Sequence, residues 1–447
     1  MKRNVRDWSP PPGPHALSKS SGSTPTERYL AQLAECTFLS LWSYPNLWRD
    51  QGNHGLKSGD GKELCDLLVV FDEHVLIFSD KKIDYKEHQD PAISWGRWFK
   101  AAIKKSADQI FGTERWLRLF PDRIFLDPRC TQRIPVSLPK IDQIRIHRIV
   151  VAHGASAACK AHFQGGSGSL KITPGIIGDA HVTKSGISQE RIASKHDSSF
   201  RVGQLDPERG YVHVLDEISI EFIMKTLDTA RDFIDYLIAK ERFILSRRLI
   251  EASGEEDLLA YYLKHIGPDK KHEFIVPKGT DRLVITNECW KEFQSSSQYI
   301  AQREASRESY YWDELIERFS FHALNDSQYY ATGRGAEQTE PLVRFLAREP
   351  RLRRRMLVDA LIAVRERIQQ HSGGFLQARV VEPSVANDPY YVFLALRRPS
   401  NSSYRQYRDA RRHVVQEYMT IVKSMRPDAL DIIGIGFGAD EIVQGHL

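Results

Sequence analysis

The chain is poor in the features that mark several common protein classes. Its 447 residues hold five cysteines, at positions 36, 65, 130, 159 and 289, and no two form a C-x-x-C pair. That spacing argues against a cysteine-held zinc site, a redox pair and a disulfide framework. No apolar stretch approaches the roughly 18 residues that a membrane span needs. The longest such segment, residues 64–78, is interrupted by Asp66, Asp72, Glu73 and His74. Residues 1–25 are rich in Pro and Ser and lack the apolar core of an export signal, so they read as a flexible tail on a soluble, cytoplasmic chain. The sixteen histidines are scattered, with no H-x3-H pair on a helix to suggest zinc. The glycine-rich run 165–169 lacks a P-loop lysine, and Gly434-x-Gly436-x-Gly438 lies too near the C-terminus for a dinucleotide fingerprint and reads as a turn.

What is present is the composition of a globular protein, with 41% hydrophobic and 27% charged residues. The length exceeds one ordinary core and predicts two domains. Net charge is +5, unevenly spread: residues 341–426 carry 17 Lys and Arg against 7 Asp and Glu, an excess of +10 that leaves −5 for the rest. A basic C-terminal segment on a slightly acidic body suits either a polyanionic partner or a solvated helix face.

Local signals divide the chain at about residue 250. Thr24-Pro25-Thr26-Glu27 is a helix start, with a Thr cap, Pro at the first helical position and Glu three after the cap. Apolar residues at helical spacing then continue to about Trp42. Two β-rich runs, 64–71 and 75–82, form a hairpin apolar on both faces, which belongs inside a sheet covered on both sides. A helix over 94–119, a strand over 146–152, strands near 170–173 and 211–215, and a long helix over 219–249 complete an α/β domain with a mixed central sheet over 26–250. Residues 251–447 read as a separate α+β domain. Its basic helix runs from Pro350 to about Gln370, strands lie at 375–381 and 391–396, a helix at 404–425, and a last strand at 431–436.

The hairpin carries the chemistry. A turn of three residues, 72–74, sets Phe71 opposite Val75 and therefore Asp66 opposite Asp80, with Lys82 one pleat further on the same face. A two-residue turn shifts the register by one and separates them. Facing carboxylates in an apolar setting repel unless a proton or a cation sits between them, and a hard divalent ion fills that role. Lys82 beside it can orient a water or neutralise charge on a phosphate in hydrolysis of a phosphodiester.

Asp66 on the first strand and Asp80-Lys81-Lys82 at the end of the second, after a leading helix, resemble the PD-(D/E)xK nuclease superfamily. The resemblance covers about residues 26–152, and no proline precedes Asp66. It implies a restriction-endonuclease-like α/β sandwich. It also implies a Mg²⁺- or Mn²⁺-dependent nuclease in which Asp66 and Asp80 hold the metal and Lys82 acts on water or phosphate. Members with Mrr- or Holliday-resolvase-like cores add a Glu from the preceding helix. Glu27, about 60° from the centre of the apolar face against roughly 140° for Glu35, is better aimed for that role. Glu63 is an auxiliary ligand if the strand begins late. Lys104, Lys105 and Gln109 on the following helix are put forward as phosphate contacts.

In the basic domain, Arg353 and Arg354 on one helix, and Arg408 and Arg412 among Tyr404 and Tyr407 on another, are candidates for phosphate contact and base stacking. The expected substrate is nucleic acid, DNA before RNA, with a homo-oligomer or an accessory defence protein as further partners and restriction or anti-phage defence as the setting. The alternative is a nuclease-like fold that binds nucleic acid or assembles without cutting. A strand followed by Gly154-Ala155-Ser156 resembles a hydrolase nucleophile turn, but the segments after Ser156 do not supply that enzyme class's β/α repeat.

Overall fold

The computed structural model describes residues 17–50, 61–182, 198–328, 335–370, 374–385 and 388–439. It divides into two compact units, one comprising the chain through Ala301 with Ser320–Arg344, the other Gln302–Phe319 with the chain from Phe345 onward. The boundary thus falls some fifty residues beyond the expected one at 250. The reason is that strands after residue 245 complete a sheet of the first unit.

The first unit opens with α1 (Pro25–Phe38), whose Thr24 hydroxyl accepts the Glu27 amide at 3.2 Å with Pro25 at the first position. The helix stops at Phe38, short of Trp42, because Leu39 turns to φ 64°. The freed segment forms an unforeseen edge strand, β1 (Ser43–Arg49). Then come β2 (Lys62–Phe71), β3 (His74–Lys82), α2 (Pro91–Phe99), a π-helical turn (Lys100–Lys104), α3 (Lys105–Leu119), β4 (Arg145–His153), α4 (Ser156–His162), β5 (Lys171–Ile177), β6 (Arg201–Gln204) and β7 (Val212–Asp216). Helices α5 (Glu217–Thr226) and α6 (Ala230–Leu245), β8 (Leu249–Ala252), α7 (Glu255–Lys264) and β9 (Leu283–Ile285) follow.

The main sheet has the order β1-β2-β3-β4-β7, antiparallel across its first three strands and parallel from β3 to β7. The apolar hairpin therefore sits inside the sheet, as its two-sided hydrophobicity requires. On one face Phe78 packs against Phe38 of α1 and Phe233 of α6. On the other, Arg148 of β4 reaches Glu114 of α3 at 2.7 Å. A second sheet, β6-β5-β8-β9, encloses a small core around Ile172, Ile244, Leu249 and Leu258. The expected tail over 1–25 falls outside the described residues as far as residue 16. Beyond that it is anchored, with Lys19 Nζ 2.8 Å from the Ser43 carbonyl.

Helices α8 (Cys289–Ser295), α9 (Ser297–Ala305), α10 (Tyr310–Leu324) and α11 (Ala336–Ala347) lead to α12 (Arg351–Gln370), β10 (Leu376–Val381), β11 (Tyr390–Leu396), α13 (Tyr404–Met425) and β12 (Ile432–Gly438). In the second unit β11 is central, antiparallel to β10 and parallel to β12. Gly434 and Gly436 lie within β12 rather than in a turn. A Cβ on Gly434 would stand 2.6 Å from Met419 Sδ of α13, so glycine is what lets helix and strand approach. Among the described residues no helix is long and apolar enough to cross a membrane.

Candidate active site

The hairpin closes with a two-residue turn, Asp72 taking φ 53°, and its pairs run from Phe71 opposite His74 to Leu67 opposite Phe78. In this register Asp66 falls opposite Ser79, so the expected facing of Asp66 and Asp80 is not formed. The turn is one residue shorter than the expected 72–74, and a shift of one carries a strand's side chains to the other face relative to its partner. Past Leu67 the main-chain pairing gives way to a side chain: Asp66 Oδ2 accepts the Asp80 amide N–H at 2.6 Å.

Asp66 nonetheless lies in an acidic cluster. Burial, opposed by the Asp80 amide and reinforced by the charges of Glu63, Glu27 and Asp80, pushes its carboxyl up to about 7. Asn46, which sequence reasoning missed, organises the cluster. It lies in β1 with φ 45°, one residue before the register shift between Leu47 and Trp48, and its Nδ2 donates to Glu27 Oε2 at 2.8 Å and to Glu63 Oε1 at 2.9 Å. Ser20 Oγ donates to Asn46 Oδ1 at 2.9 Å and so fixes which way the amide faces. Glu27 is partly buried, which raises its carboxyl, but the bonds from Asn46, Ser23 and Thr24 outweigh burial and hold it below the ordinary glutamate value. It serves the helix cap and the cluster together.

Asp80 points toward β4. Its side chain is fully buried, and Oδ1 shares a 2.5 Å hydrogen bond with Nε2 of His153. Since a carboxylate only accepts, Nε2 carries the proton. Asp80 Oδ2 is buried with no hydrogen-bond partner among the described residues. Lys82 is exposed at the strand end, at the position paired with His153. The sequence ends the expected strand at residue 152, one short of His153, and the parallel pairing of His153 with β3 is set by a connection of some sixty residues, which carries no local signal.

The basic candidates divide. Lys104, Lys105 and Gln109 are exposed on the π turn and α3, with Lys104 Nζ 3.7 Å from Asp179. Arg408 and Arg412 are half-buried on α13, and Arg408 lies 5.6 Å from the Tyr404 ring centre. Arg353 and Arg354 are corrections, since they are only 3% and 1% exposed. Arg354 bonds Asp313 Oδ1 at 2.6 Å and the carbonyls of Glu349 and Ala347, while Arg353 bonds the Glu382 carbonyl. Both guanidinium groups are thus buried within the second unit, and Arg354 spends its donors on a carboxylate and two carbonyls, as a buried guanidinium requires. Tyr407 is also withdrawn, being buried with its hydroxyl on the Leu396 carbonyl at 2.6 Å.

Comparisons with protein-family models, with curated proteins and with solved structures give no match.

Proposed function

We propose that the first unit is a metal-dependent phosphodiesterase of the PD-(D/E)xK kind, a cytoplasmic nuclease with DNA as its favoured substrate. Restriction or anti-phage defence is the setting such a reading suits. The observation that carries it is the bond from the Asp80 amide to the buried Asp66 carboxylate at the open end of the hairpin, beside the charges of Glu27, Glu63 and Asp80, with an exposed Lys82 two residues beyond Asp80 on β3. The element order, a leading helix, the edge strand β1, the hairpin, the helices α2 and α3 and a parallel strand, supports a restriction-endonuclease-like core.

The donor set suits Mg²⁺ or Mn²⁺. It is made of oxygens, it carries a carboxyl that burial and like charge make reluctant to ionise, and it leaves Asp80 Oδ2 unmatched. Asp66 and Asp80 would hold the ion, with Glu63 and Glu27 nearby. When bound it would neutralise the carboxylates and polarise a phosphate oxygen. The chain's own groups have separable tasks. The His153 N–H fixes Asp80 by one oxygen and leaves the other for a ligand. Asn46 restrains Glu27 and Glu63. Lys82 can donate to a phosphate oxygen or orient the water that attacks phosphorus as the P–O bond to the leaving group breaks. Exposed Lys104, Lys105 and Gln109 would meet the phosphate backbone.

A second reading, a nuclease-like fold that binds without cutting, draws on the same His153 contact, which occupies one oxygen of Asp80 and holds that carboxylate back. Assays on supercoiled plasmid, linear duplex, single-stranded DNA and RNA with Mg²⁺, Mn²⁺ or chelator separate the two. Metal-dependent cutting by the wild type, lost in Asp80→Ala and in Lys82→Ala, is expected. Cutting that survives both substitutions refutes the site, and salt-sensitive binding with no product moves the reading to the binding module.

A further inference from the structure

Away from the hairpin's open end, the first unit brings together two histidines and a glutamate that nothing in their sequence spacing connects. His147 of β4, His213 of β7 and Glu241 of α6 each offer a ligand atom, and these atoms lie within 4.8 Å of one another. Among the described residues no other group of three His, Cys, Asp or Glu side chains meets that condition. The imidazoles are deeply buried, at 5% and 1% exposure. His147 Nδ1 and both ring nitrogens of His213 lack any hydrogen-bond partner. Unpartnered ring nitrogens on both buried imidazoles are costly, and an ion taking one nitrogen from each ring would relieve part of that cost.

The surroundings set the lone pairs correctly. His147 Nε2 lies 2.9 Å from His74 Nδ1, and His74 Nε2 lies 3.6 Å from a Glu73 carboxylate oxygen. With the His74 proton on the nitrogen nearer Glu73, its Nδ1 accepts, His147 Nε2 donates, and His147 Nδ1 presents a bare lone pair. A ligating imidazole commonly carries an outer partner of this kind, which fixes tautomer and ring orientation. Burial holds both imidazoles neutral, His147 down at about 3 and His213 well below the ordinary value. The two nearby cations are spoken for, Arg148 by Glu114 at 2.7 Å and Lys240 by Glu255 at 2.5 Å. Glu241 is half-buried.

We infer that His147, His213 and Glu241 form a structural binding site for a divalent transition-metal ion, Zn²⁺ before others, joining β4 and β7 to α6. Two imidazoles and a carboxylate suit such an ion, whereas Mg²⁺ and Ca²⁺ take oxygen ligands. Ligands about 2.1 Å from one ion stand at most about 4.2 Å apart, so a trio already within 4.8 Å needs to close by no more than about 0.6 Å. This site is independent of the hairpin and of the nuclease reading.

The test uses the full chain, stripped with chelator and titrated with Zn²⁺ by calorimetry and with Co²⁺ by visible absorption. The variants are Glu241→Gln, His213→Leu and, as a control, Asp80→Ala. The expected result is one equivalent of Zn²⁺ per chain and a Co²⁺ ligand-field band, both retained in Asp80→Ala. His213→Leu should abolish binding and Glu241→Gln should weaken it tenfold or more. Metal-free His213→Leu should melt no lower than the metal-free wild type, since a leucine removes two unmatched nitrogens from the core. The inference is overturned if the wild type binds less than one equivalent, if binding is unchanged in both Glu241→Gln and His213→Leu, or if it is lost in Asp80→Ala instead. Glu241→Gln, at a half-buried helix position, keeps the test decisive should the leucine variant misfold.

Discussion

Replacing Asp66 by Asn tests the electrostatics of the hairpin directly. Its carboxyl has an ordinary value of 3.8 and is raised to about 7 in the folded chain, by burial first and then by the charges of Glu63, Glu27 and Asp80. Each tenfold change in proton affinity is worth about 1.4 kcal/mol, so the ionised side chain costs the fold about 4 kcal/mol. Because the folded value is the higher one, the associated stability is fully present below about pH 4. It is lost progressively as pH rises through about 7. Asparagine keeps an oxygen to accept the Asp80 amide and cannot ionise. Its advantage over wild type should therefore be small at pH 4, grow through pH 5–7 and level off near 4 kcal/mol above pH 8. Asp216 and Glu349 are also raised to about 7, but they are present in both proteins and cancel in the difference. The measurement is urea unfolding of the two proteins in chelator at a series of pH values. A difference that does not vary with pH, or an asparagine variant less stable than wild type at pH 8, would refute the reasoning. Repeating the series in millimolar Mn²⁺ should erase the advantage, since only the wild type gains by mass action.

Two further substitutions probe the second unit. Asp313→Ala leaves the guanidinium of Arg354 buried without its carboxylate and also strips Arg351, whose Nη2 lies 3.0 Å from Asp313 Oδ2. A loss of about 3–5 kcal/mol in urea unfolding is expected, and a loss below about 1 kcal/mol would show the pairing to be incidental. Gly434→Ala places a methyl group against Val415 and Met419 of α13 and should cost about 1–3 kcal/mol. Val415→Ala on the same background should recover part of that loss, and no recovery in the double-mutant cycle would count against the close approach.

What the sequence determined is local. The Thr24 cap with Pro25 located the start of α1, and the apolar runs around a short polar turn located β2 and β3 and placed them inside a sheet. In the second unit a proline and apolar runs placed α12, β10, β11, α13 and β12 in order. These signals reside in a few consecutive residues, because capping, β-propensity and turn chemistry act over one turn or one strand.

Tertiary structure decided everything that depends on which elements meet. One residue in a turn moved Asp66 from opposite Asp80 to opposite Ser79, and only the fold supplied the compensating bond from the Asp66 carboxylate to the Asp80 amide. A run of arginines carries the same charge whether it faces water or a buried aspartate, so composition could not tell Arg353 and Arg354 from exposed phosphate contacts. His153 meets Asp80 across a parallel pair, and His147 meets His213 across another, sixty-six residues away in sequence. Parallel pairing is fixed by long crossovers and by the helices that cover the sheet, and it leaves no spacing in the sequence to read.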